Sequence, residues 1–292
     1  MITFFTTPKA FTGQFQWIQR NAIKSWTSLG AEVILFGNDY GFEKEARELS
    51  VRCIPEVRRN VFGTPLLSDI FQKVYTLASN PILTYINADI ILLPDFLKAV
   101  KQISFKKYLL MGQRRPVVVS KEIVGKNHWQ TRVQKMIKAQ KSTPRLGSSD
   151  FFTFPKAVYF PMPAFAAGRM YWDRWLIFYA KALSISIINA TETITAVHQQ
   201  HYPNPNDHQY GEAKLGKEAK INGTLLGHRI YCLSIYDADF KLKKKGLEKP
   251  VNTLLKRLRN IEIRLIVASK RSMLAGIIPK VLLALRDRIK SL

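Results

Sequence analysis

Two patterns of apolar residues alternate along the first half of this chain. Short continuous runs end in polar turns; between them, apolar side chains recur every three or four positions. The first run, residues 2–5, stops at Thr6-Thr7-Pro8. Phe15, Ile18, Ala22 and Trp26 then share one face of a helix predicted over 14–28, with Gly30 as its stop. Residues 31–36 read as a second strand, closed by the turn cluster Gly37-Asn38-Asp39-Tyr40-Gly41. A short helix over 42–49 and a short strand over 51–55 follow, Pro55 marking an end or an edge. Pro65 is placed to be the first residue of a helix over 66–78. Residues 82–86 form a buried-type strand that ends in Asn87-Ala88-Asp89, and a second apolar run begins at once. Pro94-Asp95 opens a helix to about 100, and 108–111 is a further strand ending at Gly112-Gln113-Arg114-Arg115.

Strand and helix in alternation predict an α/β fold: a mostly parallel, Rossmann-like sheet with helices on both faces. Ligands of such sheets bind at the C-terminal ends of the strands. That rim would carry Thr6-Thr7, Asn38-Asp39, Arg58-Arg59, Asn87–Asp89 and Gln113-Arg114. The second half is less regular. It offers a basic helix over 128–141, a polar turn leading into an aromatic strand over 147–154, and a helix over 168–182. Trp172, Trp175, Leu176 and Tyr179 share a face of that helix, with Asp173 near its N-terminal turn. A short strand over 185–188 precedes the segment Thr195-Ala-Val-His198-Gln-Gln-His201-Tyr202.

Charge changes the picture. The formal net charge is +24, from 45 Lys/Arg against 21 Asp/Glu, and it demands a polyanionic neighbour. Residues 241–292 hold 15 Lys/Arg and 3 Asp/Glu, half of the excess. Beyond the basic run 241–245, Val251, Leu254, Leu255, Leu258, Ile261 and Leu265 form one apolar stripe. Leu274, Ile277, Ile278, Val281, Leu282, Leu285 and Ile289 form another. We therefore expect a main domain over 1–239 and a basic, amphipathic helical tail over 240–292. The tail would lie on an anionic membrane surface or pack on the domain. Nucleic acid is disfavoured, because the chain has no recognised nucleic-acid module. No apolar run reaches the roughly 18 residues of a spanning helix, and no secretory leader is read at residues 2–9. Cys53 and Cys232 are too few for a disulfide framework. The expected location is the cytoplasm, with the tail on the inner face of the cell membrane.

A carboxylate at the mouth of a buried strand needs a partner, and a divalent metal that also holds a diphosphate would supply one. Gln19-Arg-Asn-Ala-Ile-Lys-Ser-Trp26, Gly63-Thr-Pro-Leu-Leu-Ser-Asp-Ile70 and Tyr85-Ile-Asn-Ala-Asp-Ile90 occur in that order. Together they resemble the GT-A-type glycosyltransferases, the nucleotide-diphospho-sugar transferase superfamily, over residues 1–202. Gly168-Arg-x-x-Trp-Asp-x-Trp175 and Ala196-Val-His-Gln-Gln-His201 look like a bacterial, family 2-like subgroup. The resemblance implies transfer of a sugar from a nucleotide-diphospho-sugar donor to a saccharide or lipid-linked acceptor, assisted by Mn2+ or Mg2+, with inversion.

It implies roles residue by residue. Asp89 and His198 would hold the metal. Thr6, Thr7, Pro8, Asn38, Asp39, Arg58, Gly63 and Asn87 would line the nucleotide-sugar site, and Asp173 and Asp150 would be the catalytic carboxylates. Asp173, between two tryptophans, would sit where a sugar ring stacks on indole. Asn87 departs from the usual first Asp of Asp-x-Asp and removes one negative charge. A non-catalytic nucleotide-sugar or membrane-binding protein on the same fold, and a nucleotidyltransferase, are the competing readings. The second wants a glycine-rich loop after the first strand, where this chain has one Gly and one Lys between Thr6 and Gly13.

Overall fold

The apolar runs and amphipathic stretches fold as strands and helices in turn. The structure, a computed structural model, describes residues 1–147, 149–201, 213–227, 231–250 and 254–269. In order come β1 (Ile2–Thr6), α1 (Gly13–Thr27), β2 (Glu32–Phe36), α2 (Phe42–Glu48), β3 (Arg52–Ile54), α3 (Leu67–Leu77), β4 (Ile82–Ile86), β5 (Ile90–Leu92), α4 (Asp95–Lys101) and β6 (Tyr108–Val118). Then follow α5 (Trp129–Ala139), β7 (Ser149–Pro155), α6 (Trp172–Ala182), β8 (Ser186–Asn189), β9 (Ala196–Gln200), α7 (Lys217–Leu226), β10 (Phe240–Lys243), β11 (Gly246–Glu248) and α8 (Leu254–Ser269).

The sheet order is β11-β10-β8-β6-β7-β4-β1-β2-β3. Strands β1 to β4 run parallel to one another. β6, β8 and β10 are likewise parallel. β7 lies antiparallel between β4 and β6, and β11 turns back on β10. The expected mostly parallel α/β sheet, covered on both faces, is what the chain forms.

The central strands β1, β2, β4 and β7 bury both faces, which is why these runs read as largely apolar rather than alternating. Phe5, Tyr85, Phe152 and Phe154 face α3 and α6; Phe4, Ile86, Leu110 and Phe151 face α1, α2 and α4. A third cluster, Ile91, Val117, Trp129, Val133 and Val197, lies under α5. Phe71 and Phe154 stack at 6.1 Å. Truncating such a ring costs on the order of 3–5 kcal/mol.

Three expectations need correction. The strand read over 108–111 runs on to Val118, so Gln113 and Arg114 lie inside it, not on a turn. Gly112 allows this. A Cβ there would meet the Phe151 ring at 2.9 Å, and the register with β7 shifts between Met111 and Gln113. Beyond that irregularity β6 exchanges β8 for β9 as its parallel partner. Secondly, Pro65 does not begin α3. It sits in a bridge opposite Arg59, and Leu66 precedes the first helical residue. Thirdly, the basic run 241–245 does not open a helical tail, although Lys241, Lys244 and Lys245 are exposed. β10 pairs with β8, and Leu242 is fully buried, so the sheet continues past the 239/240 division. The stripe from Leu274 to Ile289 lies outside the described residues.

Candidate functional site

β4 ends at Ile86, and Asn87, Ala88 and Asp89 turn the chain into β5 at the C-terminal rim of the sheet. β5 pairs antiparallel with β9, Ile90 opposite His198. That pairing brings the carboxylate of Asp89 against two imidazoles. Nε2 of His198 lies 3.2 Å from Asp89 Oδ2, and Nε2 of His201 lies 3.8 Å from the same oxygen. One potential ligand atom from each of the three residues falls within 4.8 Å of the others. The second oxygen, Asp89 Oδ1, is buried without a hydrogen-bond partner. Burial pushes the Asp89 carboxyl up, but the facing His198, then His201 and Arg114, overcome it and hold the group well below the usual carboxylate range.

The turn is clamped from behind. Trp26 Nε1 donates to the Ile90 carbonyl at 2.9 Å. The Gln199 backbone N–H donates to the Asp89 carbonyl at 3.1 Å, and its side-chain Nε2 reaches the same oxygen at 3.3 Å and the Ile18 carbonyl at 2.8 Å. Asn21 Nδ2 donates to Gln199 Oε1 at 2.9 Å, while Asn21 Oδ1 accepts from the N–H groups of Ile123 and Val124. Both amides are fully buried, so each unmade bond would be costly. Sequence reasoning missed this pair. Asn21 in the middle of an amphipathic helix, and Gln199 between two histidines, were the available signals.

Asn87 and Asp150 meet on the adjacent strand ends. Asn87 Nδ2 donates to Asp150 Oδ1 at 2.8 Å, and its backbone N–H to the Asp150 carbonyl at 2.9 Å. Arg114 Nη1 donates to the same Oδ1 at 2.6 Å. Asp150 Oδ2 and Arg114 Nε are buried and unpartnered. Burial, with the neighbouring charge of Asp89, raises the Asp150 carboxyl against the opposing pull of Arg114.

On the other side of β4 the register continues through β1 and β2. Thr6 is buried and Thr7 half-buried. Gly37 has φ +140°, and a Cβ there would stand 3.7 Å from both Thr7 Oγ1 and Asp39 Oδ2, so these two side chains border one space. Arg59 Nη2 donates to Asn38 Oδ1 at 2.8 Å and lies 3.0 Å from Asp39 Oδ2, while Nη1 donates to the Gly63 carbonyl at 2.6 Å. Arg58 points elsewhere: its backbone N–H and Nε both donate to Asp69. The cation beside Asn38 and Asp39 is therefore Arg59, not Arg58. Pro8 is buried, and its loop is pinned where Lys9 N–H donates to Gln19 Oε1 at 2.7 Å.

Asp173 occupies the first turn of α6, whose helix starts at Trp172 rather than 168 because Gly168 and Tyr171 both take positive φ. Its side chain keeps 25% of its surface and lies 3.6 Å from Arg174 Nε. Burial raises its carboxyl, and Arg174 opposes the rise. Asp173 makes no hydrogen bond or ion pair with Asp89, His198 or Asp150. The flanking indoles are not a sugar platform. Trp172 packs edge-on against Tyr85 at 4.9 Å and Phe152 at 5.2 Å, and Trp175 stacks on Tyr179 at 4.7 Å. Both are buried, because the core needs them.

No protein-family model matches the chain, and no curated protein matches it. Among solved structures it is similar to glucosyl-3-phosphoglycerate synthase from Mycobacterium tuberculosis in complex with Mn2+, uridine diphosphate and phosphoglyceric acid. The identity is 13%, over 80% of this chain and 78% of that one, with a TM-score of 0.47. The same enzyme with uridine diphosphate alone gives 14% identity, 80% of each chain and a TM-score of 0.47. A further mycobacterial protein gives 13%, over 80% of this chain and 74% of that one, at 0.46. A likeness this distant carries no inference about activity.

Proposed function

We propose that the protein is a glycosyltransferase that moves a sugar from a nucleotide-diphospho-sugar to a saccharide or lipid-linked acceptor with the help of Mn2+ or Mg2+. One observation carries the reading. A carboxylate with an unpartnered buried oxygen faces imidazole nitrogen at the strand-end rim, beside the Thr7–Asp39–Arg59 border. The donor set fits a divalent ion: Asp89 and His198 would hold it. Bound there, the ion would offset the charge of the departing diphosphate.

The chain's own residues would do the rest. Asp39 and Asn38, oriented by Arg59, offer acceptors to a nucleobase, and Thr6, Thr7 and Pro8 supply the edge against which base and ribose lie. Gly63 flanks that entrance, its carbonyl holding Arg59, while Arg58 stays on Asp69. Asn87 is committed to Asp150, so its part is to orient that carboxylate. Asp150 Oδ2 or the Asp173 carboxylate would take the proton of the acceptor hydroxyl as its oxygen attacks the anomeric carbon and the bond to phosphate breaks. A single displacement of this kind inverts the anomeric centre.

The second part concerns the chain's end. We assign residues 1–250 to the catalytic unit and α8 to an added helix that packs on it through buried Ile263 and the Arg259–Asp237 ion pair. On α8, Leu258, Ile261 and Leu265 are exposed at 47%, 53% and 41%, beside exposed Arg257 and Arg264. This is the composition of a helix that lies on an anionic membrane surface.

The test is turnover of a panel of nucleotide sugars, with Mn2+, with Mg2+ and with chelator, for wild type and Asp89→Ala. Metal-dependent release of nucleoside diphosphate by wild type alone is expected. No turnover by wild type with any donor would overturn the reading.

A further inference from the structure

We infer that the metal position is a site of one carboxylate and two imidazoles, with His201 as third ligand, and that it selects a transition-metal ion over Mg2+. The inference rests on the proposed function for the presence of an ion; the third ligand and the selectivity go beyond it.

The usual source of a second negative charge is absent at the turn. Asn87 stands in the position an aspartate would fill; its Nδ2 is held by Asp150 Oδ1 at 2.8 Å, and its Oδ1 is a neutral oxygen that adds no charge. Asp150 in turn is neutralised by Arg114 at 2.6 Å, so it has little charge to lend to a neighbouring cation. The groups set against Asp89 Oδ2 are two imidazole nitrogens. The His198 and His201 rings lie 5.7 Å apart, inclined at 52°, with each Nε2 turned toward Asp89 Oδ2. His201 is not loose at the end of its strand: its ring packs on Phe15 at 5.2 Å, and Lys9 Nζ sits 4.5 Å over the other ring in that pair. The three side chains retain between 13% and 22% of their surface, enough for an ion to enter and keep open positions.

Such a donor set does not suit Mg2+. That ion wants hard oxygen ligands and gives up water reluctantly. Imidazole favours first-row transition metals, and affinity should rise from Mn2+ to Co2+ in the usual order. One carboxylate with two imidazoles leaves open positions, which two diphosphate oxygens could take. His201 would thus decide which metal serves the site, while Asp89 decides whether any does.

Calorimetric titration of the full chain with MgCl2, MnCl2 and CoCl2 tests this. Wild type should bind in the order Co2+ above Mn2+ above Mg2+, with Mg2+ weaker than Mn2+ by about tenfold or more. His201→Ala should weaken Mn2+ and Co2+ by about tenfold or more and leave Mg2+ little changed. His201→Asp should narrow the gap between Mn2+ and Mg2+. Equal binding of Mg2+ and Mn2+, or a His201→Ala protein with wild-type Mn2+ affinity, would overturn the inference while leaving an ion at Asp89. Absence of binding for every ion would sink the metal reading itself. Spin-echo spectroscopy of Mn2+ on the wild type needs no variant: two coupled imidazole nitrogens are expected, and one or none contradicts the third ligand.

Discussion

At the scale of single residues, the Asp89 turn depends on two buried amides. Gln199 is fully buried and gives two hydrogen bonds to the Asp89 carbonyl and one to that of Ile18, while Asn21 completes it from α1. Gln199→Leu leaves one Asn21 N–H without its acceptor, the other still reaching the Lys121 carbonyl, and weakens the hold on Asp89. Urea denaturation should register a loss of about 1–3 kcal/mol, and an unchanged midpoint would show the clamp to be idle. Glu218 makes a second prediction. Burial would raise its carboxyl, but Asn60, Thr64 and Arg169 outweigh it, and the net direction is down. A carboxyl with a depressed folded value stabilises above the unfolded pKa of about 4.3 and loses that contribution as pH falls through the folded value. Glu218→Gln should therefore be less stable than wild type at pH 7, by about 1–3 kcal/mol, and the two should converge in acid. A pH-independent difference in Tm would contradict this. Asp89 was legible because a carboxylate at the end of an apolar run has to be explained. The part of His201 was not, because a residue at the end of a strand gains its neighbours only when β9 pairs with β5. Arg59 and Arg58 were indistinguishable in sequence, since backbone direction decides which of two adjacent cations faces Asp39 and which faces Asp69.

Elements explain which parts of the fold could be read. β1, β2 and β4 are continuous apolar runs, and α1 and α3 repeat their apolar positions at helical spacing, so local pattern and final packing agree. β6 broke the rule. Gly-Gln-Arg-Arg-Pro has the chemistry of a turn, yet it is the middle of an eleven-residue strand that changes partner partway. Only β8, β9 and the Phe151 ring make sense of it, and all three come later in the chain. The same strand carries Arg114 to Asp150. Gly112→Ala should push Phe151 away and disturb the irregularity that aims Arg114, at a cost of about 1–3 kcal/mol. A thermal melt and turnover should fall together; a variant with wild-type values in both would show that the close approach is slack. The tryptophans of α6 teach the converse. Their spacing around Asp173 matched an acceptor platform, but the same spacing buries both rings against Tyr85, Phe152 and Tyr179, and the core took them.

For the whole molecule, the question is where charge and structure part company. Composition changes near residue 240, yet β10 and β11 are sheet strands, β10 carrying Lys241 and Lys243, and Leu242 is fully buried. The edge itself is β11, three residues long and ending in Glu248, short enough to offer little for another chain to pair with. Ending the chain at 250 should therefore leave a cooperative unfolding transition, whereas ending it at 239 removes the edge and should lower stability sharply. If the tail binds an anionic surface, the 1–250 protein should also cease to sediment with acidic vesicles. Sedimentation equal to the full chain's would assign the contact to the main unit. The central claim is narrower than either outcome: an ion at Asp89 is what holds the diphosphate at this rim. The measurement that reaches it most directly is calorimetric binding of a nucleoside diphosphate with and without Mn2+, for wild type and Asp89→Ala. The account predicts tight binding only for wild type with Mn2+ present. Binding of equal strength in chelator, or undiminished in Asp89→Ala, would contradict it.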